Sequence, residues 1–496
     1  KSREFPLILL SAVLFSFSFP PSPFPFLSYF SLVPLLFLLE STPPSKAFRY
    51  SYLFGVITNI LLLYWIIWQS FYGEYLVLPG SIAAYFILAL YPAAWGWLLS
   101  TLRQMHRAAL WSAPFLWVGL EYLRGLGQIG FPWIDLGYSQ TNYLSIIQFA
   151  TLTGIYGVSF WVVTLNLLIY HLLKARRHPK LAPIFGLGIV ILFGLPYFYG
   201  RNELKKETSG QNLKVALIQG NIDLNLKWDP EFLDYNFETY DSLTREAGRD
   251  SVDLVVWPET ACPCFLEKEP VYLNKVEALT RQINCDLVTG TDDYFTLGPE
   301  RYRFYNSAFY LTPDSGLTRK YHKMALVPFA ERIPYMGDMK AFNQIQLGQA
   351  NFSSGPELEL FDSRSGRLAP LICFEIAFPD LVRKAVRSGA DYLVNITNDG
   401  WFGRTAGPYQ HAAMSKMRAV ENRISIARCA NSGISQAVDP YGRVLAKTSL
   451  FERTKLVAKI PKRTSTTFFT KHGPWLGQIS LALTLMAVVA IIRRKI

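Results

Sequence analysis

The chain has 496 residues, of which 50% are hydrophobic, 15% aromatic and only 17% charged, and its formal net charge is +12. Soluble proteins carry about 25% charged residues, so this composition argues against one large soluble enzyme. Residues 1–200 hold 5 acidic and 11 basic side chains, whereas the rest of the chain holds 32 acidic and 38 basic ones. The first 200 residues therefore read as membrane segments and most of the remainder as a soluble domain.

Eight apolar stretches approach the roughly 20 residues that a helix needs to cross a bilayer. They are residues 5–19, 26–39, 50–72, 75–101, 108–123, 154–173, 181–199 and 474–492. The first two are short and separated by prolines, so they also fit one broken re-entrant unit. We expect the first stretch to be a retained anchor, because more apolar sequence follows it at once.

The basic residues indicate how these stretches are oriented. Ten of the 11 in the first 200 residues fall in alternate loops, and a basic run ends the chain. They are Lys1, Arg3, Lys46, Arg49, Arg103, Arg107, Lys174, Arg176, Arg177 and Lys180, followed at the end by Arg493, Arg494 and Lys495. The positive-inside rule then predicts that both termini are cytoplasmic. This pattern favours membrane topology over a nucleic-acid-binding face, which needs a clustered basic surface.

The resulting division has three parts. Residues 1–200 form a membrane domain of about seven spans, residues 201–473 an extracytoplasmic domain, and residues 474–496 a last transmembrane helix with a basic cytoplasmic tail. The core of the middle part, residues 213–461, alternates short β-rich runs with amphipathic helical patterns. Such alternation predicts an α/β sheet, and about 250 residues can build one sizeable core.

The predicted elements of this domain follow from hydrophobic periodicity and from prolines at helix starts. The strands are 214–219, 253–258, 286–290, 306–312, 369–375, 391–397 and 424–431, and the helices are 230–248, 270–284, 379–388 and 408–423.

Five cysteines are too few for a disulfide framework in a domain of this size, and their odd number leaves at least one thiol free within the chain. Cys262 and Cys264 read as two packed thiols, and Cys285 and Cys429 lie in apolar strand contexts that predict core positions. Cys373 ends the apolar run APLIC, at the carboxyl end of a strand, where open α/β sheets place their ligands. Taken alone, it is better explained as a small buried hydrophobic residue.

Two charged residues change that balance. Glu259 closes the run VVWPE at the end of a second strand, and Lys323 follows a β-patterned stretch. Individually, Glu259 fits a solvated loop and Lys323 a surface lysine. Jointly with Cys373 they fit nucleophilic acyl chemistry, in which a carboxylate takes the thiol proton and a cation holds charge on an acyl oxygen.

Two further features stay open. The helix 408–423 carries Arg418, Glu421 and Arg423, which either line a pocket or form a solvated or salt-bridged face. His322, beside Lys323, is more simply a strand residue that points the other way.

Three segments carry a resemblance to a known family: WPET at 257–260, HKMALVPFAERIP at 322–334 and LICFEIAFPD at 371–380. They resemble the catalytic segments of the nitrilase, or carbon–nitrogen hydrolase, superfamily. With membrane spans on both sides, the whole chain resembles the apolipoprotein N-acyltransferases of bacterial inner membranes. Other segments that agree are QGNID, FYNS, NDGWFG and QHAAMSKMRAVENR.

The resemblance implies a fold and a set of catalytic roles. The fold is a four-layer αββα nitrilase-like sandwich inserted between transmembrane helices. Cys373 would be the nucleophile, Glu259 the general base and Lys323 the oxyanion stabiliser. Glu331 matches a second glutamate that orients the lysine, and Glu375 matches an acidic position beside the cysteine.

The resemblance also implies positions for substrate. Trp228 matches an aromatic residue on a mobile loop near the acyl site, and Asn306 and Trp401 are the other predicted substrate-binding residues. Phe374 departs from the family pattern, which has tyrosine after the nucleophile, so only its backbone N–H is left to serve an oxyanion hole. Residues 334–345 and the stretch around Trp401 are candidate lids.

The implied reaction moves an acyl chain from a membrane phospholipid, through a thioester on Cys373, to the α-amine of a diacylglyceryl-cysteine apolipoprotein. It implies no metal, no organic cofactor and no nucleic acid. Two alternatives remain: a membrane-tethered amidase or nitrilase that hydrolyses a small amide, and a non-catalytic nitrilase-like membrane scaffold.

Overall fold

A computed structural model describes residues 4–67, 77–175, 180–207, 211–298, 301–337 and 351–495. The chain separates into two compact units. The first comprises residues up to 66, 79–206 and 472 onward, and the second comprises residues 67–78 and 207–471.

The first unit is built of α-helices. They are α1 (Glu4–Ser16), α2 (Val33–Leu39), α3 (Pro44–Leu63), α4 (Val77–Leu88), α5 (Leu90–Met105), α6 (Ala113–Arg124), α7 (Leu144–Ile147), α8 (Ala150–Lys174), α9 (Ala182–Glu203) and, near the carboxyl terminus, α16 (Trp475–Lys495). Within the described residues, five helical stretches are long and apolar enough to cross a membrane. These are Pro44–Ile67, Leu78–Met105, Ala150–Lys174, Ala182–Glu203 and Trp475–Arg494.

Three of the eight predicted stretches correspond to shorter helices. The stretches 5–19, 26–39 and 108–123 contain α1, α2 and α6, which have 13, 7 and 12 residues. Prolines and 3₁₀ turns interrupt the second and third of these stretches. The last residues of the predicted span 50–72 lie outside the described part of the chain.

Arg124, the basic residue that falls outside the topology pattern, is buried in an ion pair. Its Nη2 lies 2.6 Å from Oδ1 of Asp135. One turn earlier on α6, Oε1 of Glu121 accepts hydrogen bonds from the Trp117 indole at 2.8 Å and the Leu136 N–H at 2.7 Å. Because a buried charge is costly unless it is paired, these contacts fasten α6 to the segment that follows it.

Within its described residues, the second unit contains twelve strands, which form two six-stranded sheets with the orders β12-β1-β2-β3-β4-β5 and β11-β10-β9-β8-β7-β6. They are β1 (Asn212–Gln219), β2 (Leu254–Val256), β3 (Asp286–Gly298), β4 (Arg301–Thr312), β5 (Gly316–His322), β6 (Phe361–Ser363), β7 (Gly366–Ile372), β8 (Tyr392–Thr397), β9 (Ser425–Ala430), β10 (Gln436–Val438), β11 (Val444–Lys447) and β12 (Thr454–Pro461). Strands β1, β2 and β3 run parallel in the first sheet, and β7, β8 and β9 in the second.

All seven predicted strands are present, and the β-patterned stretch before Lys323 forms β5. Among the described residues, four further strands were not predicted: β6, β10, β11 and β12. Two of these have only three residues, and the other two are partly exposed along much of their length, so they lack a continuous apolar run. The predicted strand 369–375 ends at Ile372, because a 3₁₀ helix begins at the next residue.

The second unit also contains helices α10 (Leu224–Lys227), α11 (Leu233–Gly248), α12 (Pro270–Ile283), α13 (Pro379–Arg387), α14 (Gly407–Asn422) and α15 (Phe468–His472). One core cluster joins the two sheets through residues such as Leu217 and Val256 of the first and Ile396 of the second. A second cluster packs α11 and α12 against the first sheet, with Phe237 and Leu279 among its members. The domain is therefore an α/β fold with two sheets and helices.

Gly290 in β3 lies directly against the loop that follows β2. A Cβ at this position would lie 2.4 Å from the backbone nitrogen of Thr260 and 2.6 Å from the Cα of Glu259. The Gly290 N–H donates to the Pro258 carbonyl at 3.2 Å, and its own carbonyl accepts from Cys262 at 3.1 Å. Glycine therefore allows strand and loop to approach closely.

We predict that Gly290→Ala lowers the free energy of unfolding by about 1–3 kcal/mol, because the added methyl group overpacks rigid backbone atoms. Thermal unfolding of the purified protein in detergent micelles measures this. The matched control is Gly186→Ala in α9, where a Cβ would meet no atom within 4 Å. Equal melting temperatures for both variants and the wild type would contradict the prediction.

Candidate active site

The three residues of the predicted triad each follow a strand of the second unit. Glu259 lies in the loop after β2, Lys323 directly follows β5, and Cys373 directly follows β7. Strands β2 and β5 belong to the first sheet and β7 to the second. The site is therefore assembled from both sheets.

The Glu259 carboxylate is almost completely buried, with 6% of the residue exposed, and is held by three donors. Its Oε1 accepts from Nδ2 of Asn306 at 2.8 Å and from Nζ of Lys323 at 3.4 Å. Its Oε2 accepts from the backbone N–H of Asn398 at 2.9 Å. Because Asn398 follows β8, this last bond links the carboxylate to the second sheet.

Lys323 is the most deeply buried of the three, with 1% of the residue exposed. Its Nζ lies 2.7 Å from Oε1 of Glu331 and 3.4 Å from Oε1 of Glu259. Burial by itself lowers the pKa of Lys323, but the negative charges of the two glutamates outweigh it and hold that pKa above its ordinary value. The side chain is therefore a permanent cation.

Asn306 and Glu331 complete this charged cluster. The Asn306 amide donates to both carboxylates, at 2.8 Å to Glu259 and 3.3 Å to Glu331. The second oxygen of Glu331 accepts from the Val327 N–H at 2.8 Å. Glu331 thus contacts the lysine as the resemblance implies. Asn306, which the sequence predicts to bind substrate, uses its amide N–H groups to hold the two carboxylates.

Cys373 begins the 3₁₀ helix Cys373–Ala377, hereafter the cysteine turn, and is partly exposed. Burial of its sulfur and the nearby charge of Glu259 raise the pKa of the thiol, and the charge of Lys323 opposes them only in part. The thiol is therefore protonated at rest. A thiol in this state needs a base beside it before its sulfur can act as a nucleophile.

Glu375 ties the cysteine turn to the residues that follow Lys323. Its Oε1 accepts from the Tyr321 hydroxyl at 2.7 Å and from the backbone N–H groups of Met324 and Ala325 at 2.7 and 3.1 Å. Its Oε2 accepts from the Ile372 N–H at 2.7 Å. Both oxygens thus act only as acceptors, which fixes the cysteine turn relative to the segment after Lys323.

The other predicted residues have more varied surroundings. The Phe374 ring is buried and packs edge-on against Phe378, with ring centroids 5.0 Å apart. Trp228 is 43% exposed and lies directly after α10, and the ammonium of Lys227 is 6.0 Å from its ring. Trp401 is partly exposed in the short 3₁₀ helix Asp399–Phe402. Substrate binding by the two tryptophans stays a prediction.

Lys227 is a buried residue of this region that the sequence did not reveal. Its Nζ donates to the Glu259 carbonyl at 3.1 Å and to the Thr260 hydroxyl. Burial lowers the pKa of Lys227 to about 8, and burial raises the pKa of nearby Asp292 to about 7. Most lysines are exposed, so no sequence pattern singles this one out.

A second group that the sequence did not reveal lies next to the cysteine turn and includes His411 and Arg428, both fully buried.

The sequence leaves open a solvated face for helix 408–423, and that alternative is wrong. Arg418 and Glu421 of α14 have 0% exposure and lie 3.1 Å apart, so the salt-bridged alternative is correct for this pair. His322 contacts Ser307 and the Tyr305 ring, which agrees with its prediction as an ordinary strand residue.

The candidate lid at 334–345 is only partly described, since residues 338–345 lie outside the described part of the chain. Tyr335, in its described part, is strongly exposed. Among the described residues, no group of three His, Cys, Asp or Glu side chains is arranged to hold a metal ion.

Two sheets with helices, carrying glutamate, lysine and cysteine side chains at strand ends, define a domain of the carbon–nitrogen hydrolase class. A family model described as carbon-nitrogen hydrolase matches residues 214–467, and a model described as the apolipoprotein N-acyltransferase N-terminal domain matches residues 11–168. An amidase from Nesterenkonia sp. of known structure is 20% identical, with a TM-score of 0.41, over 55% of this chain and 97% of its own.

Full-length relatives narrow the class further. An apolipoprotein N-acyltransferase of Geobacter metallireducens is 36% identical over 99% of this chain and 96% of its own length. Another, of Chlorobaculum tepidum, is 32% identical over 100% of this chain and 98% of its own length. The chain belongs to the apolipoprotein N-acyltransferase family.

We predict that Glu375→Gln lowers the free energy of unfolding by about 1–3 kcal/mol. Both carboxylate oxygens of Glu375 face N–H or O–H donors, so the amide nitrogen of glutamine must oppose one of them. The control is Glu246→Gln, whose side chain is 55% exposed and which should be neutral. Chemical or thermal unfolding of both variants measures the difference, and a neutral Glu375→Gln would contradict the prediction.

The raised pKa of Asp292 predicts a pH-dependent stability difference. Its ordinary value is 3.8 and its value in the folded protein about 7, so between these pH values the folded state holds a proton that the unfolded state has lost. The contribution of Asp292 to the stability of the wild type therefore falls as pH rises through this window, and the stability of Asp292→Asn relative to the wild type should rise from about pH 4 to about pH 7. Unfolding at several pH values tests this, with Asp314→Asn, whose side chain is 82% exposed, as control. A pH-independent difference for Asp292→Asn would contradict it.

Proposed function

We propose that this protein transfers an acyl chain from a membrane phospholipid to the N-terminal α-amine of a diacylglyceryl-cysteine apolipoprotein. The observation that carries the proposal is the convergence of Glu259 and Lys323 on one buried site, with both of their charges acting on the Cys373 thiol. Two further findings support it: in the described part of the chain, five helices are able to cross a membrane, and the chain is similar over its full length to apolipoprotein N-acyltransferases.

In the first half-reaction, the Glu259 carboxylate accepts the proton of the Cys373 thiol as the sulfur attacks the ester carbonyl of the phospholipid. The new C–S bond leaves negative charge on the acyl oxygen, and the Lys323 ammonium stabilises it. When the C–O bond breaks, protonated Glu259 returns the proton to the departing glycerol oxygen. A lysophospholipid leaves, and Cys373 carries the acyl chain as a thioester.

In the second half-reaction, the α-amine of the apolipoprotein attacks the thioester carbonyl. Glu259 accepts a proton from the amine, Lys323 again stabilises the acyl oxygen, and the C–S bond breaks as the amide forms. The released sulfur takes back its proton from Glu259. The thioester divides one difficult transfer into two easier steps, provided that water is kept from the intermediate.

The surrounding residues support these roles. Glu331 is hydrogen-bonded to the Lys323 ammonium and balances its charge, so Glu259 need not serve as the lysine's sole counterion. Glu375 holds the cysteine turn close to the residues after Lys323, which keeps nucleophile and cation in register. We assign both as positioning residues, and Trp228 and Trp401 as candidate contacts of the acyl chain.

The membrane arrangement belongs to the same proposal. We propose eight spans, with the shorter helices α1, α2 and α6 contributing to the three that fall below the usual length. Both termini would be cytoplasmic, and residues 201–473 would form an extracytoplasmic four-layer αββα domain at the bacterial inner membrane. The alternation of basic loops supports this orientation. Both substrates are lipids, so anchorage keeps the enzyme where they are.

The test is to incubate purified protein in detergent with a phospholipid and to search for an acyl adduct by mass spectrometry. We expect a thioester on Cys373 that appears without acceptor and disappears when a diacylated lipopeptide is added. Cys373→Ala should carry no adduct. Cys264→Ala removes the other partly exposed cysteine and should acylate normally.

An adduct on a different residue, or lipopeptide acylation by Cys373→Ala, would contradict the assignment of the nucleophile. Hydrolysis of small amides without phospholipid turnover would instead favour the membrane-tethered amidase. If alkylation of Cys373 left both acyl transfer and amide hydrolysis unaffected, a non-catalytic scaffold would be favoured.

A further inference from the structure

A fully buried histidine supports the backbone of the cysteine turn from behind. His411 of α14 lies with its Nε2 3.1 Å from the carbonyl oxygen of Cys373. The side-chain amide of Asn395, on β8, donates to the same oxygen at 3.5 Å. A carbonyl oxygen only accepts hydrogen bonds, so Nε2 of the histidine carries a proton and donates it to this oxygen. Two side chains thus hold one peptide group, the one that joins Cys373 to Phe374.

The imidazole is itself fixed by two charged groups. Its Nδ1 lies 2.8 Å from Oδ1 of Asp399 and 3.1 Å from Nη2 of Arg428. Arg428 on β9 donates to the other carboxylate oxygen at 2.6 Å and to the Asn395 side chain at 2.6 Å. The charge of Arg428 overcomes burial and lowers the pKa of Asp399 to about 2, so the carboxylate is ionised. The ring therefore has one orientation.

This arrangement is costly. Asp399, His411 and Arg428 place charged and polar groups where their side chains have no solvent exposure, and burying such groups opposes folding unless each is paired. Cys373 also has a positive φ of 51°, a left-handed conformation that side chains with a Cβ adopt at a cost. Such strain persists only where the surrounding structure enforces it, and it concentrates at functional sites.

The peptide group that these residues hold also carries an N–H, opposite its carbonyl. Its C=O belongs to Cys373 and its N–H belongs to Phe374, so whatever fixes the carbonyl also fixes the direction of the N–H. Hydrogen bonds in a chain polarise one another, which strengthens each of them by about 10–30%. A carbonyl that accepts from two side chains therefore makes the N–H of the same peptide group a stronger hydrogen-bond donor. In acyl-transfer sites the backbone N–H of the residue after the nucleophile commonly donates to the oxyanion, and here that residue is Phe374.

We propose that His411, held by Asp399 and Arg428, is a positioning residue for acyl transfer: it orients and polarises the Cys373–Phe374 peptide so that its N–H stabilises the oxyanion. This rests on the proposed function, because it takes Cys373 as the nucleophile. His411 touches neither substrate nor sulfur in this role. It acts through the backbone of the cysteine turn.

Two polar substitutions separate the contacts of the ring. In His411→Gln the amide nitrogen is as far along the side chain as Nε2, so it can still donate to the Cys373 carbonyl. In His411→Asn the amide is one carbon shorter, so it keeps the contact with Asp399 but does not reach that carbonyl. Both variants keep a polar side chain in the buried network, which favours folding of both.

The experiment measures two reactions of Cys373 in the full-length protein. The first is the rate of thioester formation with phospholipid, as a function of lipid concentration. The second is alkylation by iodoacetamide, in which the sulfur displaces iodide and no oxyanion forms. For His411→Asn we expect acylation at saturating lipid to fall about 100-fold, with KM and the alkylation rate within about twofold of wild type. His411→Gln should acylate within about tenfold of wild type.

Equal acylation by His411→Asn and wild type would overturn the proposal. So would a parallel fall of acylation and alkylation, because that result indicates a structural role alone, and so would a His411→Gln that is as slow as His411→Asn. A wild-type protein that forms no adduct on Cys373, although iodoacetamide alkylates that residue, would instead refute the proposed function, and this inference with it.

Discussion

The arrangement of the site depends on one buried cation. The Lys323 ammonium is removed from water, and it is stable there because Glu331 and Glu259 lie within 2.7 and 3.4 Å of it. Asn306 donates to both carboxylates and so keeps them on either side of the lysine. These residues come from the loop after β2, from β4 and from the segment after β5. The pairing of strands within the first sheet is therefore what brings the charges together.

The second sheet supplies Cys373, the proposed nucleophile, and backbone groups connect it to the charged cluster. The Asn398 N–H, after β8, binds Glu259, and Glu375 of the cysteine turn binds the N–H groups that follow Lys323. Neither connection needs an extra charged pair. Glu259 and Lys323, the proposed general base and oxyanion stabiliser, are therefore positioned relative to Cys373 by hydrogen bonds that the packing of the two sheets makes available.

Much of this could be read from the sequence. The buried strands that precede Glu259 and Cys373 were recognisable as continuous apolar runs. A strand that is covered on both faces has no solvent-facing side, so polar residues do not alternate with apolar ones along it. The partly exposed strands, such as β11 and β12, have no such run and were missed. Lys227 and His411 were missed for a related reason: a charged or polar residue looks the same in sequence whether it is solvated or buried, and only its partners in space decide which.

The amino-acid sequence alone was enough to divide the chain into apolar and soluble parts, to assign the soluble part to the α/β class, and to single out Glu259, Lys323 and Cys373 as residues that follow strands. These are local properties, because hydrophobic periodicity and strand ends depend on neighbouring residues. The tertiary structure was needed to show that Asn306 holds two carboxylates and that His411 lies against the Cys373 carbonyl. Such contacts join residues that are distant along the chain, and they exist only once strand order and sheet packing are set.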